Sequence, residues 1–240
     1  MARRRFFVSE IRRGVAELTG DEAEHLVRVL RAEVDEVYEI SDNQDLYLAR
    51  ITDARKSLVR FEVMEQLAVP AAGGRMTLLA ALFKFDKFEW MVEKATELGV
   101  DEIVPVEAVR SERGLMQAAA KRRTRWERIG LEASQQARRV RLPVVAKAVQ
   151  LKSALECNAA IRVFLDEDVT AMAMLDVLPV TSSAESDVAL LVGPEGGWTE
   201  TERKLAVDQG WAAASLGSTI LRAETAGIAA MAVIRAWRRN

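Results

Sequence analysis

The stretch Leu190-Leu191-Val192-Gly193-Pro194-Glu195-Gly196-Gly197-Trp198-Thr199-Glu200-Thr201-Glu202 decides the fold. Leu190, Leu191 and Val192 read as the end of a buried strand, and the glycines that follow let backbone N–H groups approach a ligand closely. Thr199 and Glu202 form a capping-box pair, so a helix starts directly after the turn. Strand, glycine turn and helix in that order fit a ligand-binding turn at the carboxyl edge of an α/β sheet and a merely tight structural connection alike. The spacing is neither G-x-x-x-x-G-K-S/T nor G-x-G-x-x-G. A Rossmann enzyme carries its glycine turn after the first strand, whereas 43 residues follow Gly197 here. That is too short for the sheet such an enzyme still has to build, since one strand-helix-strand unit takes roughly 30 residues. The remainder therefore argues against a nicotinamide oxidoreductase.

A second turn, Leu216-Gly217-Ser218-Thr219-Ile220-Leu221, follows the last expected strand and enters the last helix at Arg222, Ala223, Glu224 and Thr225. Two such turns on adjacent strands would share one sheet edge. Apolar patterning predicts five strands, over residues 76–83, 102–106, 160–165, 188–192 and 212–216. Between the first two, Phe88, Met91, Val92, Ala95 and Leu98 form one apolar helical stripe that stops at Gly99. Further helices are expected over 121–138, 199–209 and 224–239. The alternation predicts an α/β domain over residues 75–240, a mostly parallel sheet with helices packed on it. Residues 1–70 read differently, with strand-like alternation in VYEI (37–40) and LVRFEV (58–63). One short helix, capped at Asp21, carries Leu26, Val29 and Leu30. A small β-barrel fits this segment, and VPAAGG (69–74) is the expected linker.

Half of the 240 residues are apolar, enough for a sizeable core, and no run approaches the roughly 20 apolar residues that cross a bilayer. The basic start is followed by too short an apolar stretch for a signal peptide, so a cytoplasmic location is expected. Cys157 is the single cysteine and His25 the single histidine. An internal disulfide and a structural zinc cluster are thereby excluded, as is a Ser-His-Asp or Cys-His site unless His25 is its base, and no metal is expected. The chemistry must come from a bound cofactor, carboxylates, arginines or backbone dipoles. The net charge of -2 hides a local bias, because residues 110–147 hold eleven Lys and Arg against three acids. Such a stretch fits a phosphate-holding patch and an arginine-rich solvated helix face equally well.

The strings VGPEGGWTETE (192–202) and LGSTILRAETA (216–226) look like the signature loops of the SPOUT methyltransferases. More closely, the chain resembles the bacterial 16S ribosomal RNA uracil-N3 methyltransferases. That resemblance continues through RRFF (4–7), HLVRVLR (25–31), KFDKFEWM (84–91), EKATELGV (93–100), and EASQQ (132–136) with Arg139 and Pro143. It spans nearly the whole chain. It implies a PUA-like β-barrel for RNA contact, followed by a SPOUT domain with a trefoil knot that forms a homodimer. The implied cofactor is S-adenosyl-L-methionine, and the implied target is N3 of a uridine in the decoding region of the assembled small subunit. Two positions depart from the family pattern, Asp35 in place of a turn glycine and Gln135 in place of an acid. Alternatives are a related enzyme acting on transfer RNA, or a non-catalytic ribosome-assembly factor.

Carried over by position, the resemblance implies cofactor contacts from Leu165, Val192, Gly193, Pro194, Glu195, Gly196, Gly197, Leu216, Gly217, Ile220, Leu221 and Thr225. Arg222 and Glu224 would face the reacting centre. RNA contacts would come from Arg4, Arg5, His25, Arg31, Lys84, Lys94, Arg110, Arg122, Arg123, Gln136 and Arg139. A sulfonium donor needs a lone pair aligned behind its methyl group, and uridine N3 must first lose its proton. A cation such as Arg222 would favour the resulting anion. Ile228, Met231, Ala232 and Trp237 add an apolar face to the last helix, which is expected at the dimer interface.

Overall fold

The computed structural model describes residues 5–69, 71, 73–168, 170–181 and 185–238. They divide into two units, one formed by residues up to 71 together with Ser134–Leu142, the other by the remainder.

The first unit contains β1 (Arg5–Phe7), β2 (Ile11–Arg12), β3 (Val15–Thr19), α1 (Gly20–Glu24), β4 (Val37–Ser41), β5 (Leu46–Arg55) and β6 (Leu58–Leu67). The strands form one sheet in the order β1-β4-β5-β6-β3-β2, antiparallel except for β1 beside β4. Alternation assigns its core, since Ala16 and Leu18 are buried between exposed Val15, Glu17 and Thr19. They join Phe6, Leu26, Ile40, Ile51, Val59 and Phe61 in one cluster. The extended Thr19, not Asp21, stands at the N-cap position of α1, without a side-chain cap bond, and Asp21 occupies the first turn, where the helix dipole favours its charge. The helix continues into a π-helical turn, His25–Val29. This wider turn rotates Val29 out of the expected stripe, leaving it 64% exposed while Leu26 is buried. Asp35 has φ 73°, so it keeps the left-handed turn expected of glycine, as Asp can.

Ser134–Leu142 is bound into this unit by hydrogen bonds that nothing in its local sequence announces. Ser41 Oγ donates to the Val140 carbonyl at 2.7 Å, and the Leu142 N–H donates to Asn43 Oδ1 at 2.7 Å. Gln135 Nε2 donates to Glu22. A carboxylate at 135 would face that glutamate, whereas the amide bonds to it, which accounts for the departure at this position.

The second unit contains β7 (Met76–Ala81), α2 (Phe85–Glu97), β8 (Glu102–Glu107), α3 (Leu115–Gln136), β9 (Val144–Val145), β10 (Val149–Gln150) and α4 (Leu151–Ala154). It continues with β11 (Ile161–Leu165), β12 (Met172–Ala173), α5 (Met174–Val177), β13 (Val188–Val192), α6 (Glu200–Asp208), β14 (Ala212–Ser215) and α7 (Ala223–Trp237). Helix α3 starts well before the expected residue 121 and enters the first unit at its end. The sheet is parallel throughout, in the order β10-β8-β7-β13-β11-β14-β12, with β9 also on β8. Every residue of β7 and β13 is buried, as expected for strands covered on both faces. Val188, Leu190 and Val192 pack with Phe88, Met91, Met231 and Ile234 on one face. Ala189 and Leu191 point to the other, with Ala154 and Ala206.

One expectation changes here. Strands β13 and β14 are not neighbours, because β11 pairs with both and lies between them. The carboxyl edge therefore brings together three strand ends, those of β11, β13 and β14.

Candidate functional site

A cavity of about 620 Å³ opens at that edge. Its lining comes from residues 165–167 at the end of β11, 192–195, 197 and 198 at the end of β13 and 214–223 at the end of β14, with Ala226 and Lys84. Of the expected cofactor contacts, Leu165, Val192, Gly193, Pro194, Glu195, Gly197, Leu216, Gly217, Ile220 and Leu221 line it, whereas Gly196 and Thr225 do not. Lys84, expected on RNA, is exposed and lines the cavity as well. Asp166, Glu167 and Trp198 are lining residues absent from the expected set. For the two acids the signal was available, since a carboxylate pair directly follows an apolar strand at its carboxyl end.

The glycines answer to neighbouring side chains as much as to any ligand. A Cβ on Gly193 would lie 3.0 Å from Trp198 Cε2, and one on Gly197, at φ +68°, would lie 2.4 Å from Glu167 Oε1. A Cβ on Gly196 would press on the stem of Arg110, 3.3 Å from its Cβ. Of the glycines in these two turns, only Gly217, at φ +122° with open space around it, needs glycine purely for its backbone. Helix α6 behind the first turn starts with the expected capping box, Thr199 Oγ1 accepting from Glu202 N at 3.3 Å and Glu202 Oε2 accepting from Thr199 N at 2.8 Å.

Charges at the cavity divide into bound and free. Arg203 of α6 grips Asp166 with two bonds, at 2.8 and 3.1 Å, and lies 3.6 Å from Glu167. The bond to Asp166 raises the guanidinium pKa further above its ordinary value. Arg222, the N-cap of α7, is exposed, and among the described residues its guanidinium has no hydrogen bond or ion pair. Glu224 departs from its expected place. It is 3% exposed, is not part of the lining, and its Oε2 has no hydrogen-bond partner among the described residues. It sits in the first turn of α7, where the helix N-terminus favours a carboxylate.

The residues expected on RNA fall into three groups. Arg4 lies outside the described residues. His25, Arg31 and Gln136 are exposed on the first unit, while Arg139 bonds to the Arg141 carbonyl at 3.0 Å. Arg5, by contrast, is 6% exposed and consumed by Glu39, at 2.7 and 3.1 Å, so burial removes it from any RNA-facing surface. On the second unit Lys94 is held by Glu93 and Glu97. Arg122 and Arg123 are exposed or nearly so but paired with Glu89 and Glu127, and Arg122 also stacks over Phe85. Arg110 bonds to the glycine turn. The apolar face expected at a dimer interface is largely spent within the chain, since Met231 is fully buried and Trp237 donates to the Pro179 carbonyl.

Residues 71–235 match the profile of the RNA methyltransferase domain, and residues 18–64 match the RNA methyltransferase PUA domain. The ribosomal RNA small subunit methyltransferase E of Rickettsia conorii is 32% identical over 91% of this chain and 88% of its own. That of Bacillus subtilis is 31% identical over 96% and 95%. The chain belongs to the ribosomal RNA small subunit methyltransferase E family. A crystal structure of the family member from Neisseria gonorrhoeae, bound to S-adenosyl methionine, superposes with a TM-score of 0.86 at 28% identity, covering 98% of both chains. Within this chain the PUA match falls on β3 to β6 of the first unit, and the methyltransferase match takes in the whole cavity lining.

Proposed function

We propose that this chain transfers a methyl group from S-adenosyl-L-methionine to N3 of a uridine in 16S ribosomal RNA. The observation that carries the proposal is the guanidinium of Arg222, unpaired among the described residues, on the wall of a cavity whose lining suits the donor. About 620 Å³ is ample for a nucleoside-sized ligand, and apolar Leu165, Val192, Leu216 and Leu221 alternate with open backbone of both turns. Glu167 and Glu195 supply negative charge toward a cationic ligand. The family member crystallised with S-adenosyl methionine supports the same assignment.

The donor supplies an activated methyl on a positively charged sulfur. Gly193, Glu195 and Gly197 of the first turn and Leu216–Leu221 of the second would hold it through backbone groups, and the apolar lining would exclude water. Arg222 favours the anion left when uridine N3 gives up its proton to solvent, so that the N3 lone pair is free to bond to the methyl carbon as the carbon–sulfur bond breaks. Because N3 lies on the pairing edge, the base is taken unpaired or flipped. Glu224, buried behind this wall, acts as a positioning residue at the start of α7.

The proposal extends to the decoding region of the assembled small subunit as target, and hence to a cytoplasmic location. It includes a trefoil-knotted second unit, a reading supported by the insertion of β11 between β13 and β14. A homodimer is also included, supported by apolar residues left exposed on this unit, Ile220 at 83%, Leu175 at 67% and Met172 at 58%. Mass mapping of methylated uridines in ribosomal RNA, from cells with and without the gene, tests the assignment. Loss of one N3-methyl uridine from 16S ribosomal RNA is expected. An unchanged 16S map with a lost modification in transfer RNA would overturn it.

A further inference from the structure

Arg110 stands in the segment between β8 and α3, at the head of the basic stretch whose charge suggested phosphate contact. Its guanidinium points elsewhere. Nη1 donates to the Gly196 carbonyl at 2.7 Å and to the Trp198 carbonyl at 3.3 Å. Its stem lies where a Gly196 side chain would be, 3.3 Å from Cβ and 3.4 Å from Cδ to that built Cβ. One residue earlier, the Val109 N–H donates to Glu202 Oε1 at 2.8 Å, while Oε2 of the same glutamate accepts from Thr199 N and Thr199 Oγ1 at 2.8 Å each. Two consecutive residues thus fasten the glycine turn at Gly196 and Trp198 and the helix cap at Glu202.

Gly196 is the one residue between Val192 and Trp198 that does not line the cavity, and it is the one Arg110 covers. We propose that Arg110 is a positioning residue that fixes the Gly193–Trp198 turn from behind, and so sets affinity for the methyl donor without touching it. The inference rests on the reading of this cavity as the donor site. Its physical basis is preorganisation, since a turn with three glycines is costly to order and a latch removes that cost from the binding step. Charge-assisted bonds from one guanidinium nitrogen to two carbonyls are suited to the task.

Arg110→Met keeps the stem against Gly196 and removes the donors, and Arg110→Lys restores a single point donor. The test measures S-adenosyl-L-methionine affinity by calorimetry, steady-state methylation, hydrogen exchange of the ligand-free protein, and RNA affinity against salt. For Arg110→Met we expect donor affinity about tenfold weaker, the loss of roughly one charge-assisted bond. KM for the donor rises with kcat at saturation nearly unchanged. Exchange quickens at residues 195–199 but not in β13, the salt slope of RNA binding is unaltered, and Arg110→Lys falls between. Donor affinity and exchange within about twofold of wild type would overturn the latch. So would a reduced salt slope with unchanged donor affinity, which would make Arg110 an RNA contact, or exchange quickened equally throughout the sheet. A wild-type protein that binds no donor would overturn the cofactor reading instead, and the ligand-free exchange would still decide the latch.

Discussion

The indole Nε1 of Trp198 donates to the Leu165 carbonyl at 2.9 Å, joining the turn after β13 to the end of β11. Trp198 is 3% exposed, and both residues line the cavity. The indole is therefore a strut between two of the three strand ends. Trp198→Phe keeps most of the packing and withdraws the donor, leaving a buried carbonyl short of a partner. The expected cost is about 1–3 kcal/mol of stability, read from urea unfolding of the ligand-free protein. A variant as stable as wild type would show that the bond does not brace the site.

Gly193 has no room for a side chain because that same indole occupies the space, with Trp198 Cε2 and Nε1 3.0 and 3.1 Å from a built Cβ. Gly193→Ala is expected to cost roughly 1–3 kcal/mol, since a buried, hydrogen-bonded ring cannot move aside. In the Trp198→Phe background the smaller ring lacks those atoms, so adding Gly193→Ala should cost less. A double-mutant cycle measures this coupling. Strictly additive losses would mean that the glycine serves its backbone alone.

The arginines of α3 are not free charges. Glu89, 13% exposed, holds Arg122 at 3.2 Å and Arg125 at 2.8 Å, while Arg123 and Arg128 pair with Glu127 and Glu132 one turn away. The exposed pairs of Arg123 and Arg128 are worth little, about 0–1 kcal/mol, so phosphates can replace their glutamates, and Glu89 is the stronger competitor for Arg122 and Arg125. Glu89→Gln should release two arginines and tighten binding to a 16S ribosomal RNA fragment. The slope of log affinity against log salt should steepen by about 0.7 to 0.9 for each additional phosphate neutralised. Anisotropy titrations across salt give the slope, and an unchanged value would mark the helix as a solvated face.

Local patterning carried much of the fold and part of the site. The strand at 188–192 was legible to the residue because an unbroken apolar run stops at Gly193, and the helix after it because Thr199 and Glu202 reciprocate. Resemblance to known loops supplied most of the cavity wall. What stayed hidden depends on partners far away in sequence. Insertion of β11 between β13 and β14 is a matter of strand order, which no local period encodes. Arg110 reads as one more basic residue until the Gly196 carbonyl, 86 positions on, is found beside it. Ser134–Leu142 belongs with the first unit through Ser41 and Asn43, each 99 positions from its partner. Met231 and Trp237 looked like surplus apolar surface because the packing of α7 on α2 and on Pro179 cannot be seen in one helix.

The central claim is that Arg222 stabilises the uridine N3 anion, and single-turnover methylation by Arg222→Ala tests it most directly. The assay uses saturating S-adenosyl-L-methionine and assembled small subunits, followed across pH. We predict a transfer rate lower by roughly 10²-fold, with donor and RNA affinities little changed, because the interaction strengthens only as charge develops. Raising the pH should recover part of the loss, since hydroxide removes the imide proton that the missing cation no longer acidifies. Equal rates for wild type and variant across pH would contradict the account.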